Sequence, residues 1–223
     1  MGLPLIATPV IASVFGPRAA VVIVSIPILV TNSLLIVTSW RSLPAMIREL
    51  LPMIVLGALG TLVGVQLLAK MDERLFALVI SALVVAFLLR GDRLLGDDPD
   101  ARRVKIAAPV VGLFGGILQG STSIASPLVG SYFHARKVAP TAFVGSLATL
   151  FEVNSVMQIA GYAGLHLFTP QLFALGVIGL VPNLVGLLVG IELRGRISAI
   201  AFRRIIVVLL IVSVVNLLRS VVR

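Results

Sequence analysis

Gly120-Ser121-Thr122-Ser123 and, three residues on, Ser126-Pro127 form the stretch of this 223-residue chain whose residue types could do chemistry. The four hydroxyls, Ser121, Thr122, Ser123 and Ser126, are hydrogen-bond donors suited to the oxygens of a small oxyanion. Ser126-Pro127 has the form of an N-cap followed by proline at the first helical position. A helix that starts there presents free backbone N–H groups and the positive end of its dipole to an anion. The competing reading is that these small residues only let helices pack closely.

Three further residues have chemical potential because apolar neighbours surround them. Asn32 and Asn154 carry amides, which can donate to an anion and are less costly to bury than charges. They could equally make an interhelical hydrogen bond of about 1 kcal/mol. Glu152 is the one acid deep in an apolar segment, and intramembrane carboxylates are costly and usually functional. It could carry a coupling proton, or pair with Arg136 or Lys137. Gln66, Gln119 and Gln158 are too isolated in the sequence to assign a role.

Other chemistries find little support. There is no cysteine, so disulfides and thiolate metal sites are excluded. His134 and His166 have no ligand spacing around them, and no cofactor is expected. No nucleophile–base pair and no phosphate-binding Gly-x-x-x-x-Gly-Lys-Ser/Thr loop occurs, so neither an enzyme nor an ATP-driven pump is expected.

The elements that must position these residues lie in lipid. The chain is 59% hydrophobic and 12% charged, which makes it an all-α, multi-pass integral membrane protein. Its net charge of +9 sits in short clusters between apolar runs, a positive-inside pattern and not a nucleic-acid surface. Gly2–Phe15 is apolar but short, and no basic stretch of the signal-peptide kind precedes it. Spanning candidates are Ala19–Ser39, Leu50–Ala69, Leu75–Leu89, Val138–Ala160, Gln171–Ile191 and Ile205–Leu218, with Trp40-Arg41 at an interface. Ile106–Phe133 lacks any charge and would make a helix about 42 Å long, more than a bilayer needs. Gly115-Gly116, Gly120 and Ser121–Ser123 should break it. Non-helical backbone at that depth is tolerated only when buried in protein or lining a cavity, and such breaks are where transporters bind substrate. The glycines Gly57, Gly60 and Gly64, with Gly179, Gly186 and Gly190, are expected to bring helices close.

Two halves emerge: a first repeat over 1–90, a hydrophilic linker over 91–104 and a second repeat over 105–223. Ala69-Lys70-Met71…Phe76 matches Gly195-Arg196-Ile197…Phe202, and Gly60-x-x-x-Gly64 matches Gly186-x-x-x-Gly190. Pro44 falls on Pro170, Asn32 on Asn154, and Pro4 near Pro127, while Ile106–Gln119 has no counterpart. If the broken element enters and leaves on one side, 13 of the 18 Lys/Arg fall on one face and five on the other. A single crossing would split them nine and nine, so the charge bias favours inverted repeats.

The second half resembles the sulfite exporter TauE/SafE family of bacterial membrane transporters. The resemblance rests on Gly116-x-x-x-Gly120-Ser-Thr-Ser-Ile-Ala-Ser126-Pro127, Tyr132-x-His134-Ala-Arg136, Phe151-x-x-Asn154 and Gly190-x-x-Leu193-x-Gly195-Arg196-Ile197. The first half looks like that family's first repeat without its opening helix, which raises the expectation of a start codon upstream of Met1 or of a reduced protein. The family commonly has glycines where this chain has Ser123, Ala125 and Ser126. The resemblance implies a secondary transporter of small sulfur-containing or organic anions, such as sulfite or sulfoacetate, in the cytoplasmic membrane. Gly120, Ser121, Thr122, Ser123, Ser126, Pro127, Asn32 and Asn154 would bind substrate, and Glu152 would couple a proton. The alternative is a non-transporting membrane assembly subunit that needs a partner. The expected partners are therefore a small anion, lipid and a proton, with no nucleic acid; the carried anion, direction and oligomeric state are open.

Overall fold

A computed structural model describes residues 3–39, 44–90, 101–136 and 140–192, with 208, 211, 212 and 215 beyond them. Every regular element among these residues is helical: α1 (Leu3–Phe15), α2 (Pro17–Ser39), α3 (Pro44–Lys70), α4 (Glu73–Arg90), α5 (Ala101–Thr122), α6 (Ser126–Ala135), α7 (Pro140–Gly164), α8 (Pro170–Ile178) and α9 (Leu180–Glu192). Four stretches of the described residues are long and apolar enough to cross a membrane: Pro17–Ser39, Leu50–Lys70, Ala142–Gly164 and Pro170–Val189. The chain is thus a helical membrane protein. The interfacial Trp40-Arg41 and most of the last apolar segment, Ile205–Leu218, lie outside the described residues. So does most of the linker, although α5 already begins at Ala101.

The centre of the bundle is a seam of glycines between α3 and α5. A methyl group on Gly116 would overlap the carbonyl oxygen of Gly57, one on Gly120 that of Thr61, and one on Gly112 that of Met53. From the other side, Gly60 meets the carbonyl of Leu113 and Gly64 that of Ile117. Residue numbers rise together along both helices, so α3 and α5 run parallel, backbone against backbone. Glycine at every fourth position is what permits this approach in lipid, where close packing replaces the hydrophobic effect as the force between helices. The packing role expected for Gly57, Gly60 and Gly64 holds. The expectation for Gly115, Gly116 and Gly120 does not: they lie inside an unbroken α5, because the tight contact offsets their poor helix propensity.

The other directions follow from the same kind of contact. Asn154 of α7 faces Gly57, and Gly161 faces Val65, so α7 runs with α3 and α5. Arg18, at the start of α2, bonds the carbonyls of Leu68 (3.2 Å) and Met71 (2.8 Å), while Ser33, near its end, reaches Glu152. α2 therefore runs against them. Gly16, at φ +86°, turns α1 into α2 in the left-handed region that glycine enters without strain. The guanidinium of Arg18 also caps the C-terminal carbonyls of α3, the favourable place for a cation.

Prolines explain the irregular places. Pro27 leaves the Ile23 carbonyl without its intrahelical donor, and α8 comes close there through Gly176. Asn183 of α9 donates to Pro27 O (3.2 Å) and to Thr31 Oγ1 (2.6 Å), fixing α9 along α2 in the same direction. The span expected to be continuous over Gln171–Ile191 is divided at Gly179 into α8 and α9. Pro182 is the physical reason, since it has no N–H for the carbonyl of Ile178.

Two apolar clusters fill the bundle. Ala12, Val22, Val65, Leu68, Phe76, Ile80, Ile124 and Tyr162 belong to one. Leu50, Met53, Ala108, Val111, Ala125, Val129, Phe133, Leu147 and Phe151 belong to the other. The adjacent residues Ile124 and Ala125 fall in different clusters, so the gap between α5 and α6 sits where they meet.

Candidate functional site

α5 ends at Thr122 and α6 starts at Ser126, so the charge-free segment is interrupted as the sequence requires, but only over Ser123–Ala125. The interruption is completely buried: Thr122, Ser123 and Ala125 have no exposed surface and Ile124 is 1% exposed. Ser123 has φ 59°, the left-handed region, which costs a non-glycine residue roughly 1–2 kcal/mol. Phe133, at the far end of α6, stacks edge-on against Phe143 near the start of α7. α6 thus folds back alongside α5, and Val129 lies against Gly115.

Breaking a helix here frees carbonyls that lipid cannot satisfy. α7 supplies what is missing. Gln158 Nε2 donates to the carbonyl of Gln119 at 2.8 Å and to Ser123 Oγ at 2.9 Å. Tyr162 donates its hydroxyl hydrogen to the carbonyl of Gly120 at 2.7 Å. Gln119 Nε2 closes the ring on Gln158 Oε1 at 3.3 Å. The bond to Ser123 also offsets part of that residue's backbone strain. Gln119 and Gln158, which sequence spacing left unassigned, therefore hold the break together. The available signal was a Gln and a Tyr four residues apart on one face of α7, at 158 and 162.

The hydroxyls are distributed differently from expectation. Ser121 Oγ donates to its own helix at Ile117 O (2.6 Å), and Thr122 Oγ1 to Leu118 O (2.8 Å). Thr122 Oγ1 also accepts from the N–H of Ile124 (3.1 Å), shaping the turn. Both are committed to backbone. Ser123 Oγ accepts from Gln158, which leaves its own hydrogen free to turn. The N-cap of α6 is Ala125, in the right-handed helical region and with no side-chain cap, so Ser126 is not the cap. Pro127 occupies the first turn as expected. Alanine at the cap position supplies no side-chain acceptor to the start of α6.

A family model described as sulfite exporter TauE/SafE matches residues 1–217. The chain belongs to that family. Neither a curated protein nor a solved structure matches it. The TauE/SafE assignment makes the chain a member of a transporter family, consistent with its run of apolar helices.

In this TauE/SafE protein the Asn32 and Asn154 side chains are buried, and the Nδ2 group of each has no hydrogen-bond partner among the described residues. Asn154 is fully buried and, among the described residues, neither its Oδ1 nor its Nδ2 has a hydrogen-bond partner. Asn32 is 6% exposed and its Nδ2 has none. The interhelical hydrogen bond weighed for this pair is therefore not what occupies these donors. Ser155 Oγ, next to Asn154, is also buried and unpaired. Orphaned buried groups of this kind cost about 1–3 kcal/mol each, and they mark a place where a solute or water belongs. Glu152, halfway along α7, is bonded by Ser33 of α2 at 2.6 Å through Oε1, while its Oε2 is buried without a partner. Lys137, weighed as its ion-pair partner, lies outside the described residues.

A cavity of about 780 Å³ opens at the end of the bundle where α1 turns into α2 and α3 into α4. Arg18, Lys70 and Arg74 line it together with Asp72 and Glu73. Ala12 and Ala77 line the cavity and also belong to the apolar cluster that contains Ile124. The cavity and the break thus border the same apolar cluster.

Proposed function

We propose that this chain is a secondary transporter of small anions, sulfite, sulfoacetate or related organosulfur and organic anions, across the cytoplasmic membrane. The observation that carries the proposal is the fully buried Asn154 amide without a partner, on the helix that stitches the Ser123–Ala125 break. In this reading the anion sits between the N-terminus of α6 and the amides of Asn154 and Asn32. Ser123 and Ser126 contribute hydroxyls, Gly120 and Pro127 shape the turn, and Ser121 and Thr122 set the backbone. Helix N–H groups and neutral amides can hold an anion without the cost of a buried bare cation.

The access cycle proposed is that of an inverted repeat. Three observations support it. α2 and α7 run oppositely, as do α3 and α8–α9. α1 heads toward the end bearing Lys70, and α6 toward the end where α5 begins. The break then forms a re-entrant hairpin, which is also the arrangement that places most Lys/Arg on one side. The cavity beside Arg18 and Lys70 would be the outer mouth, closed from the break by the apolar cluster that both border.

Glu152 is the proposed coupling group. An ionised carboxylate within one helical turn of Asn154 would repel a bound anion, by about 2 kcal/mol for unit charges roughly 7 Å apart at an effective dielectric of about 20. A proton on Glu152 removes that repulsion, so proton and anion favour each other's binding reciprocally. The test is counterflow in proteoliposomes with sulfite, sulfoacetate, thiosulfate and a carboxylate control, at acid and neutral pH. Wild type should exchange at least one sulfur oxyanion faster at acid pH. Glu152→Gln should exchange it with little dependence on pH. A Glu152→Gln variant with the full pH dependence of wild type would take Glu152 out of the mechanism.

A further inference from the structure

The contact between Ser33 and Glu152 has a hydrogen-counting problem. Ser33 Oγ lies 2.6 Å from Glu152 Oε1 and 3.0 Å from the carbonyl oxygen of Leu29. A serine hydroxyl has one hydrogen, and an ionised carboxylate and a carbonyl are both acceptors only. With Glu152 ionised, one of the two short approaches is oxygen against oxygen without a hydrogen between. With Glu152 protonated, both are hydrogen bonds: the carboxyl donates to Ser33 Oγ, and Ser33 donates to Leu29 O. The second carboxyl oxygen agrees. Oε2 is buried with no hydrogen-bond partner among the described residues, which suits the carbonyl oxygen of a neutral acid far better than half of a carboxylate.

We propose that Ser33 is the positioning residue that keeps a proton on Glu152, through a chain running from carboxylic acid to serine hydroxyl to helix carbonyl that joins α2 to α7. This rests on the coupling role proposed above. When the proton leaves, Glu152 becomes a carboxylate and Ser33 must swing its hydrogen from Leu29 O to Oε1. The link to Leu29 O within α2 is then lost, and the bond between the two helices remains with its direction reversed. Because α2 and α7 are the corresponding first full spans of the two halves and run oppositely, this contact ties one half to the other at mid-depth.

Among the described residues, nothing else near this depth carries a charge. Residues 19–39 of α2, 50–69 of α3, 106–122 of α5 and 170–191 of α8–α9 contain no acidic, basic or histidine side chain, and α7 has only Glu152 and Tyr162 to titrate. On packed elements, Arg18 is bound to carbonyls at the Lys70 end of the bundle, Lys70 closes α3 there, and α6 carries Tyr132 and His134 with Arg136 at its end. The side chains of Arg48, Glu49, Arg102, Arg103, Lys105 and Lys137 lie outside the described residues.

Infrared difference spectroscopy of the full chain in lipid, in heavy water at neutral pH, tests the proposal independently of transport. Subtracting Glu152→Gln from wild type should leave the C=O stretch of one protonated carboxyl. Ser33→Ala should move that band to higher wavenumber, because its hydrogen-bond acceptor is gone, and Ser33→Thr should return it. If Ser33→Ala is not recovered folded, Ser33→Cys, a weak acceptor, should give the same upward shift. Absence of a Glu152-dependent band, or a band unmoved in Ser33→Ala or Ser33→Cys, overturns the assignment. Counterflow on the same samples separates the two proposals: a shifted band without anion flux sinks the transport reading alone, and flux with an unmoved band sinks the role of Ser33 alone.

Discussion

Gly116→Val abolishes the folded protein. A methyl group at this position overlaps the carbonyl oxygen of Gly57 and comes within 2.9 Å of the amide nitrogen of Thr61. Both are backbone atoms in the middle of a helix and cannot rotate aside. Relief would require α3 and α5 to separate, which would open the contacts at Gly60, Gly64, Gly112 and Gly120 together. Overpacking of side chains costs about 1–3 kcal/mol, and backbone against backbone should exceed about 3 kcal/mol, a large share of a domain's usual 5–15 kcal/mol or so. Recovery of monodisperse protein in detergent, with its thermal midpoint, measures the effect. Gly186→Val is the control, since among the described residues nothing lies within 4 Å of a methyl group built there. Wild-type yield and midpoint for Gly116→Val would show that the seam is not as tight as described.

The next largest loss is expected from Gln158→Leu. The side chain is fully buried and its amide serves Gln119 O and Ser123 Oγ at the break while meeting Tyr162. Leucine of similar size fills the space and leaves Ser123 Oγ without its donor and Gln119 Nε2 without its acceptor, while Gln119 O keeps the N–H of Ser123. At about 1–3 kcal/mol for each orphaned group, the loss should be about 3 kcal/mol or more. Tyr162→Phe removes the donor to Gly120 O and one acceptor of Gln158 Nε2, which keeps Gln119 O and Ser123 Oγ, and should lose about half as much. Thermal midpoints of the two variants, read at equal detergent and lipid, give the comparison. Equal midpoints for Gln158→Leu and wild type would mean that the break is held by packing alone.

The sequence carried the architecture well because lipid imposes long apolar runs, and those are visible without coordinates. The interruption before Pro127 was legible for the same reason: a charge-free run of that length exceeds a bilayer. Its position was less so. Gly115, Gly116 and Gly120 read as helix breakers, yet Gly116 and Gly120 are the contact surface of α5 with α3 and Gly115 meets Val129 of α6, and which role a glycine plays depends on its neighbour helix. Ser126 has the residue type of a cap but lies one position inside α6, and the turn is instead shaped by Thr122 and Ser123. Gln119 and Gln158 looked isolated because 39 residues separate them, and only the folding back of α6 and the parallel course of α7 bring them together. Asn32 and Asn154 were legible as amides within apolar runs. That their Nδ2 groups have no partner among the described residues is a property of three-dimensional packing.

Sulfite counterflow into proteoliposomes, measured for wild type beside Ser123→Leu and Ser123→Gly, bears most directly on the buried break as an anion site. Glycine keeps the left-handed backbone and leaves room, so it should retain exchange. Leucine fills the space beside Gln158 and should reduce exchange to that of protein-free vesicles. Full exchange in a well-folded Ser123→Leu variant would contradict the account.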